Sequence, residues 1–245
     1  MTRGPRRLRP SALAALLAVG MLVAAGPTLA AATAPASDDM SLGRANAPVT
    51  VVEYASASCP HCARFNNDVF PDFRKKYIDT GKVHYVFREF LTEPVQVAAA
   101  GFLLARCAGP GKYFQVLDDF FHGQAKAYET GDVKGLILSA GAHAGLDEAK
   151  IGACFDDKAA ADALNARVAR YAQDEGIDST PTFVVNGKKL PPLTHEVALQ
   201  DLDDAIQPLL PPPSKARHAG KSKAGAKHRA AAKPKAKPRT GGGAV

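Results

Sequence analysis

Cysteine is scarce in this chain of 245 residues: there are four, and only Cys59 and Cys62 stand close together. No second C-x-x-C or C-x-x-H accompanies them, and Cys107 and Cys154 are isolated, so the usual frame of a structural zinc site is missing. His84, His122, His143 and His195 have no ligand spacing either, and neither a metal nor a bound cofactor is expected. No internal repeat is present, which excludes a solenoid. Acidic residues are absent from both ends. Of 31 Lys and Arg, four lie within the first ten residues and ten after Pro213, leaving 17 against all 24 acids in the body between. The formal charge of +7 therefore belongs to the ends, while the body carries −7 and offers no general basic face.

A long apolar run is lacking too. Leu13 to Ala25 falls short of the roughly 20 residues that a comfortable membrane span needs. It follows Arg3, Arg6, Arg7 and Arg9 and precedes the small residues of Thr28-Leu29-Ala30-Ala31-Ala32, so residues 1–32 read as a cleavable secretory signal rather than an anchor. Leu-Arg-Pro follows the Arg6-Arg7 pair where the twin-arginine route would want a hydrophobic pair, which favours ordinary secretion. Export places the cysteines in an oxidising compartment, the periplasm or cell envelope.

What is there centres on residues 48–73. Val49 to Tyr54 is a β-branched run interrupted by Glu53, Ala55 to Ser58 is a turn of small residues, and Cys59-Pro60-His61-Cys62 follows. Ala63, Phe65, Val69 and Phe73 then fit a helical period. A strand that hands a C-x-x-C to a helix N-terminus suits thiol–disulfide chemistry, because the first turn has amides without intrahelical partners and the positive end of the dipole, both of which favour a thiolate. Pro60 fits the first helical position, where its missing N–H is no loss. His61 is placed to add a donor or a positive charge beside the sulfur; its plainer reading is a surface residue of the first turn.

Further along, Val83 to Phe90 alternates as a second strand, with Val83, Tyr85 and Phe87 on one side and Gly81 ending the helix before it. Val95 to Cys107, the stretch around Tyr113 to Phe121, Val133 to Ala144, Asp147 to Phe155 and Asp157 to Glu175 read as helices, so about 80 residues of helix separate the second strand from the third. The third strand follows Ser179-Thr180-Pro181 as Thr182 to Val185, ending in an Asn186-Gly187 turn. Lys188 to Leu190 is a weak fourth strand, and Thr194 is a candidate cap for a last helix carrying Leu199, Leu202 and Ile206.

The combination of VEYASASCPHC, the helical insertion and STPTFVVNGK resembles the DsbA family of exported thiol–disulfide oxidoreductases over roughly residues 40–210. The resemblance implies an α/β, thioredoxin-like fold with an inserted all-helical subdomain. Together with the signal (1–32) and tail (211–245) read from composition, the chain then divides into a lead-in (33–47), a first thioredoxin-like part with CPHC (48–91), the helical insertion (92–175) and a second part (176–210). The resemblance also implies Cys59 as exposed nucleophile, Cys62 as buried resolving thiol, and Thr180-Pro181 as a cis-proline loop whose backbone stays free for an extended substrate. Glu53 matches a buried acid that helps to move protons; without the resemblance it reads as a solvated or salt-bridged strand residue.

The activity so implied is donation of disulfides to reduced or unfolded exported proteins, with a membrane redox partner that reoxidises the pair. An isomerase or reductase of the same fold, and a chaperone-like binding module, are the alternatives. Cys107 and Cys154, in two helices of a secreted chain with an even cysteine count, are expected to form a structural disulfide rather than a second redox pair. The tail from Pro211, with ten basic residues and no acid, is expected to be a disordered polycation. Anionic envelope surfaces are nearer partners for it than nucleic acid, and a purely solubilising or functionless tail is the equal alternative.

Overall fold

The computed structural model describes Met1, residues 36–173 and residues 175–212. The expected signal, apart from Met1, and the basic tail beyond residue 212 lie outside the described residues. The chain divides into Met1–Leu210 and Pro211–Val245, and the first unit holds every element below.

Five strands form one sheet in the order β1-β3-β2-β4-β5: β1 Met40–Leu42, β2 Val49–Ala55, β3 Val83–Glu89, β4 Thr182–Val185 and β5 Lys188–Lys189. β2 runs parallel to β3 with Val51 opposite Tyr85, and antiparallel to β4 with Glu53 opposite Phe183. β1 was not anticipated in the lead-in. Its three residues are too few to show a period, and it forms only because the edge of β3 receives it, Met40 opposite Phe87. Every residue of β3 is buried, so its alternation does not divide core from solvent. One face packs Val83, Tyr85 and Phe87 under the main core; the other packs Val86 with Val52, Tyr54, Tyr171, Ile177 and Val184. A strand covered on both faces has no wet side.

From Pro60 the chain runs helically to Ile78, as α1 Pro60–Arg64, a π turn Phe65–Val69, α2 Phe70–Phe73 and a second π turn Arg74–Ile78. Pro71 explains the first widening: it has no N–H to return to the preceding turn, and Phe70 donates instead to the Phe65 carbonyl five residues back. Between β3 and β4 lie five helices: α3 Val95–Cys107, α4 Tyr113–Thr130, α5 Val133–His143, α6 Glu148–Asp156 and α7 Lys158–Gln173. This is an α/β thioredoxin core with an inserted all-helical subdomain. The last helix, α8 Leu199–Ile206, starts five residues after Thr194, which does not cap it. Asp201 instead accepts from the Ala198 amide at 2.8 Å.

Buried charge fastens the insertion to the sheet. Glu89, at the end of β3, accepts from Arg106 of α3, from Arg167 of α7 and from the Tyr113 hydroxyl of α4. Beside it Arg88 pairs with Asp39 at 3.0 Å and with Glu175 at 2.7 Å. Such pairs offset the desolvation of both partners and fix relative placement more than they add net stability. Cys107 and Cys154 are bonded, Cα to Cα 5.8 Å, and tie the end of α3 to α6. α3 also passes close to the turn after β2: a Cβ on Gly101 would lie 2.6 Å from Ala57 Cβ, so glycine is needed for that approach.

Candidate active site

β2 ends at Ala55, and the turn Ser56-Ala57-Ser58 is wholly buried, which sets the C-x-x-C at the carboxyl end of the central strand. Cys59 is the N-cap of α1. Its backbone is extended (φ −81°, ψ 123°), its N–H donates to the Ser56 carbonyl, and its own carbonyl accepts from Ala63 at 3.1 Å. No side-chain oxygen caps the helix, so the sulfur stands where a capping acceptor would. The Cys59 thiol is held down to about 5, chiefly by a hydrogen bond from Cys62, against the opposing effect of burial. Thr180 and the amides of Cys62 and His61 help. Cys62 is pushed well above the ordinary thiol range, first by burial and then by its role as donor to Cys59. The two sulfurs thus divide into one comfortable anion and one thiol that keeps its proton.

The expectation of an exposed Cys59 needs correction: it is 6% exposed and Cys62 0%, and the Thr180 carbonyl lies against the Cys59 sulfur. Thr180-Pro181 is cis, as is Glu93-Pro94, for which no role was anticipated. The Cys59 thiol donates to the Thr180 carbonyl at 3.4 Å, across 121 residues of chain. Thr180 Oγ1 is buried with no partner, and Thr182 Oγ1 braces the loop by donating to the Ser179 carbonyl at 2.8 Å. An unpartnered buried hydroxyl beside a thiol of low pKa is poised to donate to the thiolate once it forms.

Glu53 is neither solvated nor salt-bridged. It is 2% exposed, and its Oε2 accepts from the Tyr85 hydroxyl at 2.6 Å across the β2–β3 pair. Burial pushes its carboxyl up to about 8; the Tyr85 bond opposes this and the Cys59 charge adds to it. Glu53 also bears on Cys62, helping to keep that thiol protonated. It closes a cavity of about 480 Å³ that Asn66, Phe70, Arg74 and Phe114 line from the helices.

The His61 side chain is 59% exposed and its Nδ1 lies 2.8 Å from Glu196, while the amide of this position is among the groups that hold the Cys59 thiol down. Pro60 occupies the first helical turn, as its fixed φ favours. Beside the pair opens a second cavity of about 920 Å³, walled by Thr180 and Pro181 on one side and by residues 189–197 on the other.

Several contributors were not foreseen. Tyr128 of α4 donates to the Ser58 carbonyl at 3.0 Å, and buried Gln124 donates to the Ala57 carbonyl at 2.8 Å. Ser58 Oγ donates to the Thr92 carbonyl at 2.9 Å. Extending the stripe of α4 from Leu117 and Phe121 by threes and fours reaches Gln124 and Tyr128, so a signal for them existed. Tyr85 and Glu196 had none, since cross-strand register and loop placement bring them in. Among the described residues no group of His, Cys, Asp and Glu is placed to hold a metal, and no helix is long and apolar enough to cross a membrane.

This arrangement has counterparts in known proteins. A family profile described as Thioredoxin matches residues 36–207. A Rickettsia bellii protein, provisionally assigned as a protein-disulfide oxidoreductase, is 31% identical over 170 residues, covering 69% of this chain and 63% of that one. A Rickettsia prowazekii relative of similar designation is 32% identical over 174 residues, 71% of this chain and 62% of its own. The chain thus spans less than two thirds of the length of these relatives. Among solved structures, α-DsbA1 of Wolbachia pipientis superposes with a TM-score of 0.66 at 27% identity, over 74% of this chain and 96% of that one. BdbD from Bacillus subtilis, at 24% identity and a TM-score of 0.55 over 70% of this chain and 92% of its own, shares the fold. With the profile spanning nearly the whole described body, the chain belongs to the thioredoxin family, and within it closely resembles the DsbA and BdbD thiol–disulfide oxidoreductases.

Proposed function

We propose that the protein oxidises pairs of thiols in reduced or unfolded exported proteins. The observation that carries this is the split between the two cysteines: Cys59 is held down to about 5 against the cis-proline loop, while Cys62 is fully buried and well above the ordinary range. A pair whose reduced form rests on so comfortable a thiolate gives up its disulfide readily.

The exchange balances in two displacements. A substrate thiolate attacks Cys59 Sγ in the Cys59–Cys62 disulfide; the S–S bond breaks, a substrate–Cys59 bond forms, and the electron pair leaves on Cys62. Cys62 takes a proton, and Glu53, protonated at neutral pH and sensing the charge of both sulfurs, is a buried source for it. The second substrate thiolate then attacks the substrate sulfur of the mixed disulfide and Cys59 departs as its stable thiolate. The substrate has lost two electrons, and the reduced pair returns them to a membrane redox partner. The 920 Å³ cavity next to Thr180-Pro181 suits a loosely held extended chain pairing with the loop's backbone. An envelope location follows from this chemistry, and an anionic envelope surface is the partner proposed for the basic tail.

Equilibration with glutathione tests the reading, together with turnover of a reduced dithiol peptide. A midpoint well above the roughly −270 mV of a thioredoxin, with peptide oxidation abolished in C59S, is expected. A midpoint near that of thioredoxin would turn the assignment toward reduction, and retained chain binding without exchange in C59S would turn it toward a binding module.

A further inference from the structure

At the edge of the site lies an ionic cluster of Glu196, His61 and Arg64 to which the mechanism above gives no task. Glu196 lies in the loop between β5 and α8, yet its carboxylate reaches back to α1 and bridges two side chains one turn apart: His61, whose Nδ1 is 2.8 Å away, and Arg64, whose Nη2 donates to it. Arg64 Nη2 also lies 2.8 Å from the same ring nitrogen, which donates to the carboxylate when protonated and accepts from the guanidinium when it is not, so the three groups sit together. Both cationic candidates come from the helix whose first residues surround the Cys59 sulfur, and both are turned toward a loop 132 to 135 residues away.

We propose that Glu196 is a positioning residue: it draws the His61 ring and the Arg64 guanidinium away from the Cys59 sulfur and thereby restrains how strongly the pair oxidises. The inference rests on the exchange reading for its consequence, though its primary readout does not. Half-exposed ion pairs add little to stability, which removes a purely structural reason for the cluster. A charge within reach of an ionising sulfur still acts on it. Arg64 is held above its ordinary value first by the Glu196 bond, with Cys59 and Asp68 as smaller contributors, so guanidinium and thiolate do sense each other. Glu196 is itself held below the usual carboxylate range by Arg64 and then His61, so the counter-charge is present wherever Cys59 ionises. The other titratable groups that bear on Cys59 are the buried Cys62 and Glu53 and the partly buried Tyr128, none bonded to Glu196. Glu196 also lines the large cavity with His61, Thr180 and Pro181, which puts this restraint at the edge of the site.

Iodoacetamide alkylation of reduced full-length protein against pH measures the Cys59 midpoint directly. In E196Q the midpoint should fall by about 0.3 to 0.5 unit at low salt, since one screened charge at such range is worth about that much. The equilibrium with glutathione should then shift twofold to threefold toward the reduced enzyme. Both changes should fade in 1 M salt and shrink to nothing in an H61A/R64Q background. An unchanged midpoint in E196Q overturns the proposal, and so does a full-sized shift that persists in H61A/R64Q, which would make Glu196 a direct field and not a positioning group. If peptide oxidation is absent in the wild type while E196Q still moves the midpoint, the exchange reading fails and this one stands.

Discussion

The Cys59 thiol meets the Thr180 carbonyl at 3.4 Å, and the hydroxyl of that same threonine is buried beside it without a partner. One residue of the cis-proline loop thus offers an acceptor to the neutral sulfur and a donor to the charged one. Replacing the hydroxyl by a methyl in T180V keeps the shape and removes the donor. The Cys59 midpoint, read from alkylation against pH, should rise by about 1 to 2 units, the value of a hydrogen bond to a charged group. An unmoved midpoint would show that the hydroxyl does not reach the thiolate.

The stability of the reduced protein should depend on pH through Cys59. Its folded value of about 5 lies below the ordinary 9.0, so the stabilisation is fully present above pH 9.0 and is lost as pH falls through 5. At pH 7 it amounts to about 3 kcal/mol, and the disulfide form, which has no such proton to release, lacks it. Urea denaturation of both forms should therefore show the reduced protein losing about that much relative to the oxidised one between pH 7 and pH 4. Parallel pH profiles for the two forms would contradict the low thiol value.

Glu53 works in the opposite sense. Its carboxyl, raised to about 8 from 4.5, keeps its proton in the folded state after the unfolded chain has lost it. Folding stability contributed by this group is full below pH 4.5 and drains away as pH rises to 8. E53Q keeps an acceptor for Tyr85 and carries no titrating proton. It should be more stable than wild type at pH 7 by on the order of 2 kcal/mol, show no gain at pH 4, and turn over a dithiol peptide more slowly because departing Cys62 loses its proton source. A variant with unchanged turnover would remove Glu53 from the mechanism.

The Cys107–Cys154 bond lies in the insertion, between α3 and α6, and takes no part in the site's hydrogen bonding. C107A/C154A should lose about 2 to 4 kcal/mol of stability in urea, on the loop-closure scale for a loop of this length. Its Cys59 midpoint should match the wild type. A displaced midpoint would make the second pair a regulator and not a staple.

Local order wrote much of this protein into its sequence. A β-branched run, a turn of small residues, C-P-H-C and a helical stripe place Cys59 as the cap of α1 without reference to any distant residue, because capping and dipole act within one turn. The helices of the insertion were legible for the same reason, α3 from an apolar run without turn residues and the others from their spacing. Packing decided the rest. Whether Glu53 faced water or Tyr85 depended on which strand lay beside β2 and in what register, since both readings share one local sequence. β1 is three residues that only the edge of β3 makes a strand, and β3 lost its wet face to Tyr171 of α7. The contacts of Cys59 with Thr180 and of His61 with Glu196 join residues more than 120 positions apart. Chain order can nominate a thiolate; only the closed fold determines what presses on it, because burial and charge act through space and not along the backbone.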